Sequence, residues 1–241
     1  MKENNSFKKG IVDGLPICFG YFSVAFAFGI FAVKSGLSVF QSIIISMTNV
    51  TSAGQLAAVP IITSGGLISE LALTQFIINL RYALMSVSLS QKLSSGVTTL
   101  HRFIISFVNT DEVFAVALSN KLPLGRKYLY GLILTPYLGW SAGTAVGAIA
   151  GNILPNIVIT SLGIAIYAMF VAIVTPEAKM NKSTLLCVLL SIVLSCGFYY
   201  LPILNKVPSG FVIIICAVIA SAVFAFVFPI ETEESEDEVI E

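Results

Sequence analysis

Charge is what this sequence has least of. Only 11% of its 241 residues are Asp, Glu, Lys or Arg, against roughly 25% in ordinary soluble domains. Seven of the 13 acids fall in the last eleven residues: Glu231, Glu233, Glu234, Glu236, Asp237, Glu238 and Glu241. The formal net charge of zero therefore combines a body of 13 basic and 6 acidic side chains with a separate acidic end. So few charges cannot clothe a soluble protein of this size. A soluble enzyme, a disordered chain and a nucleic-acid binder are excluded.

Histidine is nearly missing as well, with His101 standing alone. The four cysteines (Cys18, Cys187, Cys196, Cys216) form no CxxC, so neither a metal site nor a secreted disulfide framework can be assembled. No cofactor is expected. The chain lacks a Walker A sequence, so any ATP drive would need another protein. It also lacks HExxH, GxSxG and paired intramembrane aspartates, the parts an intramembrane hydrolase would require.

What is present is hydrophobic: 56% of residues, with a mean hydropathy of +0.93. About 20 apolar residues in helical form cross a bilayer. Such windows occur at Leu15–Val33, Val39–Thr63, Leu67–Ser90, Tyr128–Ala150, Ile157–Val174, Thr184–Ile203 and Phe211–Phe228. An eighth, Phe103–Leu118, is shorter and carries Asn109, Thr110, Asp111 and Glu112 in its middle. The expected fold is an all-α integral membrane protein, a bundle of seven or eight transmembrane segments. Residues 1–14 read as a cytoplasmic or external tail, 15–228 as a polytopic membrane transport domain, and 229–241 as an acidic cytoplasmic tail. Lys8 and Lys9 before an apolar run, and Ala25-Phe26-Ala27, imitate a signal peptide, but the run continues past that site as in an uncleaved span.

Lys and Arg collect in cytoplasmic loops. Eight spans with the N-terminus inside place Lys2, Lys8, Lys9, Lys121, Arg126, Lys127, Lys179 and Lys182 there, and Lys34, Lys92, Arg102 and Lys206 outside. Seven spans, with the N-terminus outside and Phe103–Leu118 re-entrant, score the same eight to four. Both models put the Lys179/Lys182 loop and the C-terminus in the cytoplasm.

Polar groups inside spans are costly and mark functional sites by default. The second window reads Ser46-Met47-Thr48-Asn49-Val50-Thr51-Ser52-Ala53-Gly54-Gln55 and is followed by Pro60. This favours an interrupted helix, which is tolerated where its free backbone lines a cavity or meets protein; a close Ser/Thr/Gly helix contact is the structural alternative. In the third window Gln75, Asn79, Tyr82, Ser86 and Ser90 fall on one helical stripe. Arg81 lies off that stripe, on nearly the same face as Glu70 and Thr74, too deep to snorkel out. Adjacent Asp111 and Glu112 repel, so one is expected to be protonated or paired, with Arg81 as the natural partner. The pair reads either as structural or as facing a substrate of both charge signs, with Arg81 taking a carboxylate and an acid taking an ammonium or a proton. Gly139, Gly143, Gly147 and Gly151 recur every four residues and predict close contact with another helix, in this chain or a partner. A weak internal echo, Gly36 before Pro60 and Gly151 before Pro176, suggests two related halves.

At these residues the sequence resembles the AzlC family, the large subunit of AzlCD-type branched-chain amino-acid exporters. The family's G-Y-x-P-F-G-x-x-F-G is similar to Gly20-Tyr21-Phe22-Ser23-Val24-Ala25-Phe26-Ala27-Phe28-Gly29, with Ser23 and Ala25 replacing Pro and Gly. A-G-A-A-Q-F is similar to Thr51-Ser52-Ala53-Gly54-Gln55-Leu56, which keeps Gln55. N-L-R-H is matched by Asn79-Leu80-Arg81-Tyr82, followed by Ser88-Leu89, and T-D-E-x-F-A by Thr110-Asp111-Glu112-Val113-Phe114-Ala115. The likeness continues through Gly139-Trp140 and Gly143-Thr144 and covers about Gly14 to Phe170. The family's L-D-F-A is replaced by Leu162-Gly163-Ile164-Ala165, so its aspartate is absent, which bears on substrate or driving ion.

The resemblance implies export of branched-chain or related apolar amino acids across the plasma membrane, with a small AzlD-like membrane partner. The expected substrate-binding or coupling residues are Gln55, Asn79, Arg81, Asp111 and Glu112. A transporter of another small zwitterionic or organic solute, and an accessory subunit acting through its glycine stripe, are the competing readings.

Overall fold

The computed structural model describes residues 6–120, 123–155, 157, 171, 174–176 and 178–228. The chain divides into two compact units, Met1–Val171 and Ala172–Glu241. The window Ile157–Val174 and the acidic tail 229–241 lie outside the described residues, apart from a few positions in the former.

The first unit is framed by α1 (Phe7–Lys34) and α7 (Arg126–Ile153), each 28 residues, or about 42 Å at helical rise. Ser6 caps α1 by accepting from Lys9 N at 3.2 Å, so the helix opens at Phe7, eight residues before the apolar window at Leu15. Gly36, at φ 102°, turns the chain out of it. The two helices run parallel along a seam of small residues. Gly10 meets the Tyr128 carbonyl, Gly29 meets Thr144 and Ala148, and Gly139, Gly143, Gly147 and Gly151 meet Cys18, Phe22, Phe26 and Ile30 in turn. A Cβ at Gly139 would sit 2.5 Å from the Cys18 carbonyl oxygen, so the glycines are what bring the two backbones together. The stripe is thus occupied within the chain. Ile17, Tyr21, Ala25, Tyr128, Leu132 and Trp140 form the core along this seam.

Between these helices lie α2 (Val39–Thr48), α3 (Ser52–Thr63), α4 (Ile68–Gln91), α5 (Thr99–Ser106) and α6 (Asp111–Ser119). Only α4 of these five is long and apolar enough to cross a bilayer. The segment Val39–Thr63 is two half-length helices that double back. Ser38 opens α2 with a reciprocal cap to Gln41, next to the end of α1. The helix then descends until Ser46 bonds Thr144 at 2.6 Å and the Met47 carbonyl accepts from Tyr137 at 3.1 Å, near the middle of α7. Asn49 and Thr51 are extended, as befits a run of β-branched residues and one Asn, all poor helix formers. α3 returns alongside α4: Thr51 is opposite Tyr82, Gly54 is opposite Gln75, and Gly66 is opposite Glu70.

The segment Phe103–Leu118 does the same from the opposite end. α4 finishes at Lys92, whose ammonium donates to the Leu118 carbonyl at 2.6 Å, while Leu93 pairs with Leu124. α5 starts beside α7, with His101 bonded to Tyr130 at 2.6 Å. Its end bonds α4 through Asn109 and Ser86 at 3.0 Å, and α6 then returns to the first end. Two hairpins therefore enter from opposite ends and meet at mid-depth. The sequence leads one to expect a spanning, interrupted helix over Val39–Thr63; the interruption is present, and the chain reverses there.

Among the described residues, five helices have the length and hydropathy of a span: α1, α4, α7, α8 (Lys182–Tyr200) and α9 (Ser209–Val227). The protein is an all-α integral membrane protein. In the second unit α8, capped by Asn181 accepting from Ser183 N at 2.9 Å, joins α9 through a short 3-10 turn, Leu204–Lys206.

Candidate functional site

The two hairpin tips and α4 enclose a cavity of about 200 Å³. It is lined by Thr48, Asn49, Val50 and Thr51 from the first tip, Ser106, Phe107, Asn109 and Thr110 from the second, and Asn79 and Tyr82 from α4. All four half-helices end here, two by their N-termini and two by their C-termini. That size is below the range typical of drug-sized ligands and suits a small solute. A second cavity of about 300 Å³ adjoins it, since Ser106 lines both, and runs along α4 and α5 past Ser86, Ser90, Phe103 and Arg102.

The polar stripe of α4 holds the first tip. Gln75 accepts from Asn49 Nδ2 at 3.0 Å and donates to the Gly54 carbonyl at 2.8 Å. Asn79 Nδ2 donates to the Gln75 carbonyl at 2.9 Å, leaving its buried Oδ1 without a protein partner. The Tyr82 hydroxyl donates to Thr51 Oγ1 at 3.4 Å. A Cβ at Gly54 would stand 2.6 Å from Gln75 Oε1 and would have to displace that amide.

The two carboxylates that open α6 are held separately. Asp111 Oδ2 pairs with Arg81 Nη2 at 2.8 Å, both side chains about half exposed in the isolated chain. The same guanidinium nitrogen donates to the Tyr82 hydroxyl at 3.1 Å, and the guanidinium lies 4.9 Å from that ring's centre. Glu112 Oε2 accepts from the Tyr21 hydroxyl at 2.5 Å, and the Tyr21 ring stands edge-on to Trp140 with centroids 5.1 Å apart. Neighbours in sequence thus face different helices, which relieves their mutual repulsion.

Of the five expected site residues, Asn79 lines the cavity, while Arg81, Asp111 and Glu112 flank it through Tyr82 and the start of α6. Gln55 does not line it. Its side chain is fully buried in α3, and neither amide atom has a protein partner, a costly arrangement for an amide. Glu70 is buried at the far end of α4. The sequence reading missed Tyr21, whose role depends on a contact 91 residues away; its one signal is its place in the first motif. Among the described residues no group of three or more His, Cys, Asp or Glu comes together that could hold a metal ion.

The family model described as "AzlC protein" matches residues 16–154, more than half of the chain and nearly all of the first unit's described helices. An "Uncharacterized membrane protein" of Archaeoglobus fulgidus is 34% identical over 183 residues, covering 74% of this chain and 79% of the relative. The "Inner membrane protein YgaZ" of Escherichia coli K12 is 28% identical over 195 residues, covering 78% of this chain and 79% of the relative. No solved structure matches the chain. With its motifs at the two hairpin tips and its match running from within α1 to the end of α7, the chain belongs to the AzlC family.

Proposed function

We propose that the protein is a secondary transporter that exports branched-chain or related apolar amino acids across the plasma membrane, together with a small AzlD-like membrane subunit. The observation that carries this reading is the cavity where two oppositely directed hairpins meet. Broken helices at mid-depth are where transporters bind small polar solutes, and free backbone there needs a polar lining. Polar groups of Asn79, Asn109 and Thr51 beside Val50 and Phe107 suit a solute with a charged head and an apolar side chain.

The basic residues of the first unit supply a direction. Lys8, Lys9, Lys92, Arg102, Arg126 and Lys127 gather at the end where α1 and α7 begin, and Lys34 is at the other. The excess of positive charge in cytoplasmic loops supports reading the first end as cytoplasmic, and with it the adjoining 300 Å³ cavity as the inner approach. The C-terminal tail is read as cytoplasmic too, and the YgaZ relative's description as an inner membrane protein supports the location. Proton or ion coupling is the expected drive, with Asp111 or Glu112 as carrier. The glycine stripe is filled by α1, so the accessory-subunit reading loses the surface it relied on. Export of labelled leucine from loaded vesicles holding this chain, with and without a partner subunit, tests the proposal; no flux of any apolar amino acid in either preparation overturns it.

A further inference from the structure

Resting on the reading of the chain as a transporter, we propose that the 300 Å³ cavity between α4 and α5 is a waiting site for the solute, where Arg102 takes a carboxylate and the apolar wall takes the side chain before passage to the mid-depth cavity.

The cavity is built from one face of each helix. Thr99, Arg102, Phe103 and Ser106 line it from α5, at the spacing of a single helical face. Across from them stand Ser86, Leu89 and Ser90 of α4, with Leu93 just past its end. A volume of about 300 Å³ is at the lower end of the range for small-molecule sites. Its lining is mostly apolar, and it includes no Asp or Glu.

Arg102 is the cation left for a ligand. Lys92 is spent on the Leu118 and Asn120 carbonyls at 2.6 and 3.3 Å. Arg126 Nη1 is 3.4 Å from His101 Nε2, and Arg81 is paired with Asp111. Among the described residues Arg102 has no acid within 4.0 Å, and its one hydrogen bond is a long one, from Nε to the Val97 carbonyl at 3.4 Å. Both Nη groups remain, in the planar fork that matches a carboxylate. Thr99, one turn earlier on the same face, adds a hydroxyl with no bond of its own among the described residues. The serines do not compete for the anion. Ser90 and Ser106 donate to the Val87 and Phe103 carbonyls at 2.6 and 3.0 Å, so their oxygens are left to accept, as an ammonium requires.

A cation in a cleft without a counter-ion gathers anions, and the walls of Leu89, Leu93 and Phe103 favour one that carries an apolar chain. Ser106 lines this cavity and the mid-depth one alike. It follows Arg102 by four residues, about 6 Å of helical rise, so a solute held at Arg102 is one turn from the transport site.

The test uses the full-length protein in phosphatidylcholine nanodiscs and titrates leucine, leucinol and 4-methylpentanoate by calorimetry. Arg102→Gln is expected to weaken leucine and 4-methylpentanoate roughly tenfold or more and to leave leucinol and the melting temperature unchanged. Arg126→Gln removes the same charge from the same end and should leave all three within about twofold. Phe103→Ala keeps the charge and should weaken 4-methylpentanoate about threefold or more through lost apolar contact. Unchanged carboxylate affinity in Arg102→Gln, or equal losses in Arg102→Gln and Arg126→Gln, overturns the proposal. So does the binding of neither carboxylate; if a short-chain phosphatidylglycerol then binds and depends on Arg102, the cavity holds a lipid headgroup instead. Arg102-dependent carboxylate binding without flux of any apolar amino acid upholds the anchor and overturns the transport reading. Flux with Arg102-independent binding does the reverse.

Discussion

The Tyr21 hydroxyl donates to Glu112 Oε2 at 2.5 Å, tying the middle of α1 to the first turn of α6. Because Trp140 backs the Tyr21 ring, the second hairpin tip is fastened to the same α1–α7 seam that frames the unit. Tyr21→Phe removes the donor and keeps the ring. It is expected to cost about 1–3 kcal/mol, the range for a hydrogen bond to a charged group and its orphaned partner. Glu112→Gln, which can still accept, should cost less. Thermal unfolding in detergent measures both, and equal losses would show that the bond does not hold the tip.

The Arg81–Asp111 pair should behave as a unit. Arg81→Ala leaves a lone carboxylate, and Asp111→Asn a lone guanidinium, each costly away from bulk water. Both single variants are expected to lose most export activity and to fold less well. The exchange of the two, Arg81→Asp with Asp111→Arg, should recover folding in part. A double-mutant cycle on folded yield reads the coupling, and strict additivity would mean the two side chains do not depend on each other.

Glycines along the seam should differ sharply from glycines elsewhere. A Cβ at Gly147 overlaps the Phe26 carbonyl, whereas one at Gly20 meets nothing within 4 Å. Gly147→Ala is expected to destabilise by about 1–3 kcal/mol as the helices are forced apart. Gly20→Ala should be neutral or stabilise by up to about 1 kcal/mol, the helix-interior preference for alanine. Parallel melting curves of the two variants check the contrast.

Single cysteines at Lys92 and Lys127, in a protein whose four native cysteines are replaced by alanine, should label from the same side of the membrane. The Leu93–Leu124 pairing brings those two turns together. Cysteines at Lys34 and Gly65 should label from the other side. Labelling of the first two from opposite sides would mean that Phe103–Leu118 crosses the membrane.

Much of the helical content is legible in the sequence, because length and hydropathy settle which segments can lie in a bilayer. The break near Asn49 is legible too, from the run Thr48-Asn49-Val50-Thr51 and its poor helix formers. The pairing of Arg81 with an acid follows from the scarcity of deep charges; which acid does not, since Asp111 and Glu112 are adjacent and only the direction of α6 separates them. The reversal of Val39–Thr63 is not legible at all. Two half-helices that return and one broken helix that crosses have the same hydropathy. Only the contacts of Ser46 with Thr144 and of Gly54 with Gln75 tell them apart. The partner of the glycine stripe is hidden for a related reason, because a four-residue repeat names a face and not what covers it.

The seam has a further consequence, for the order in which the chain matures during synthesis. It joins α1 to α7, so α1 must wait in the bilayer while the intervening hundred or so residues emerge. Until α7 arrives, Tyr21 and the small residues of α1 have no wall, and neither hairpin has the helix against which it stops. A nascent chain cut before Arg126 is therefore expected to remain a set of loosely associated segments open to membrane proteases, and release of α7 from the ribosome should mark the moment at which they become resistant. Assembly of this frame is closed by α7 rather than built up span by span.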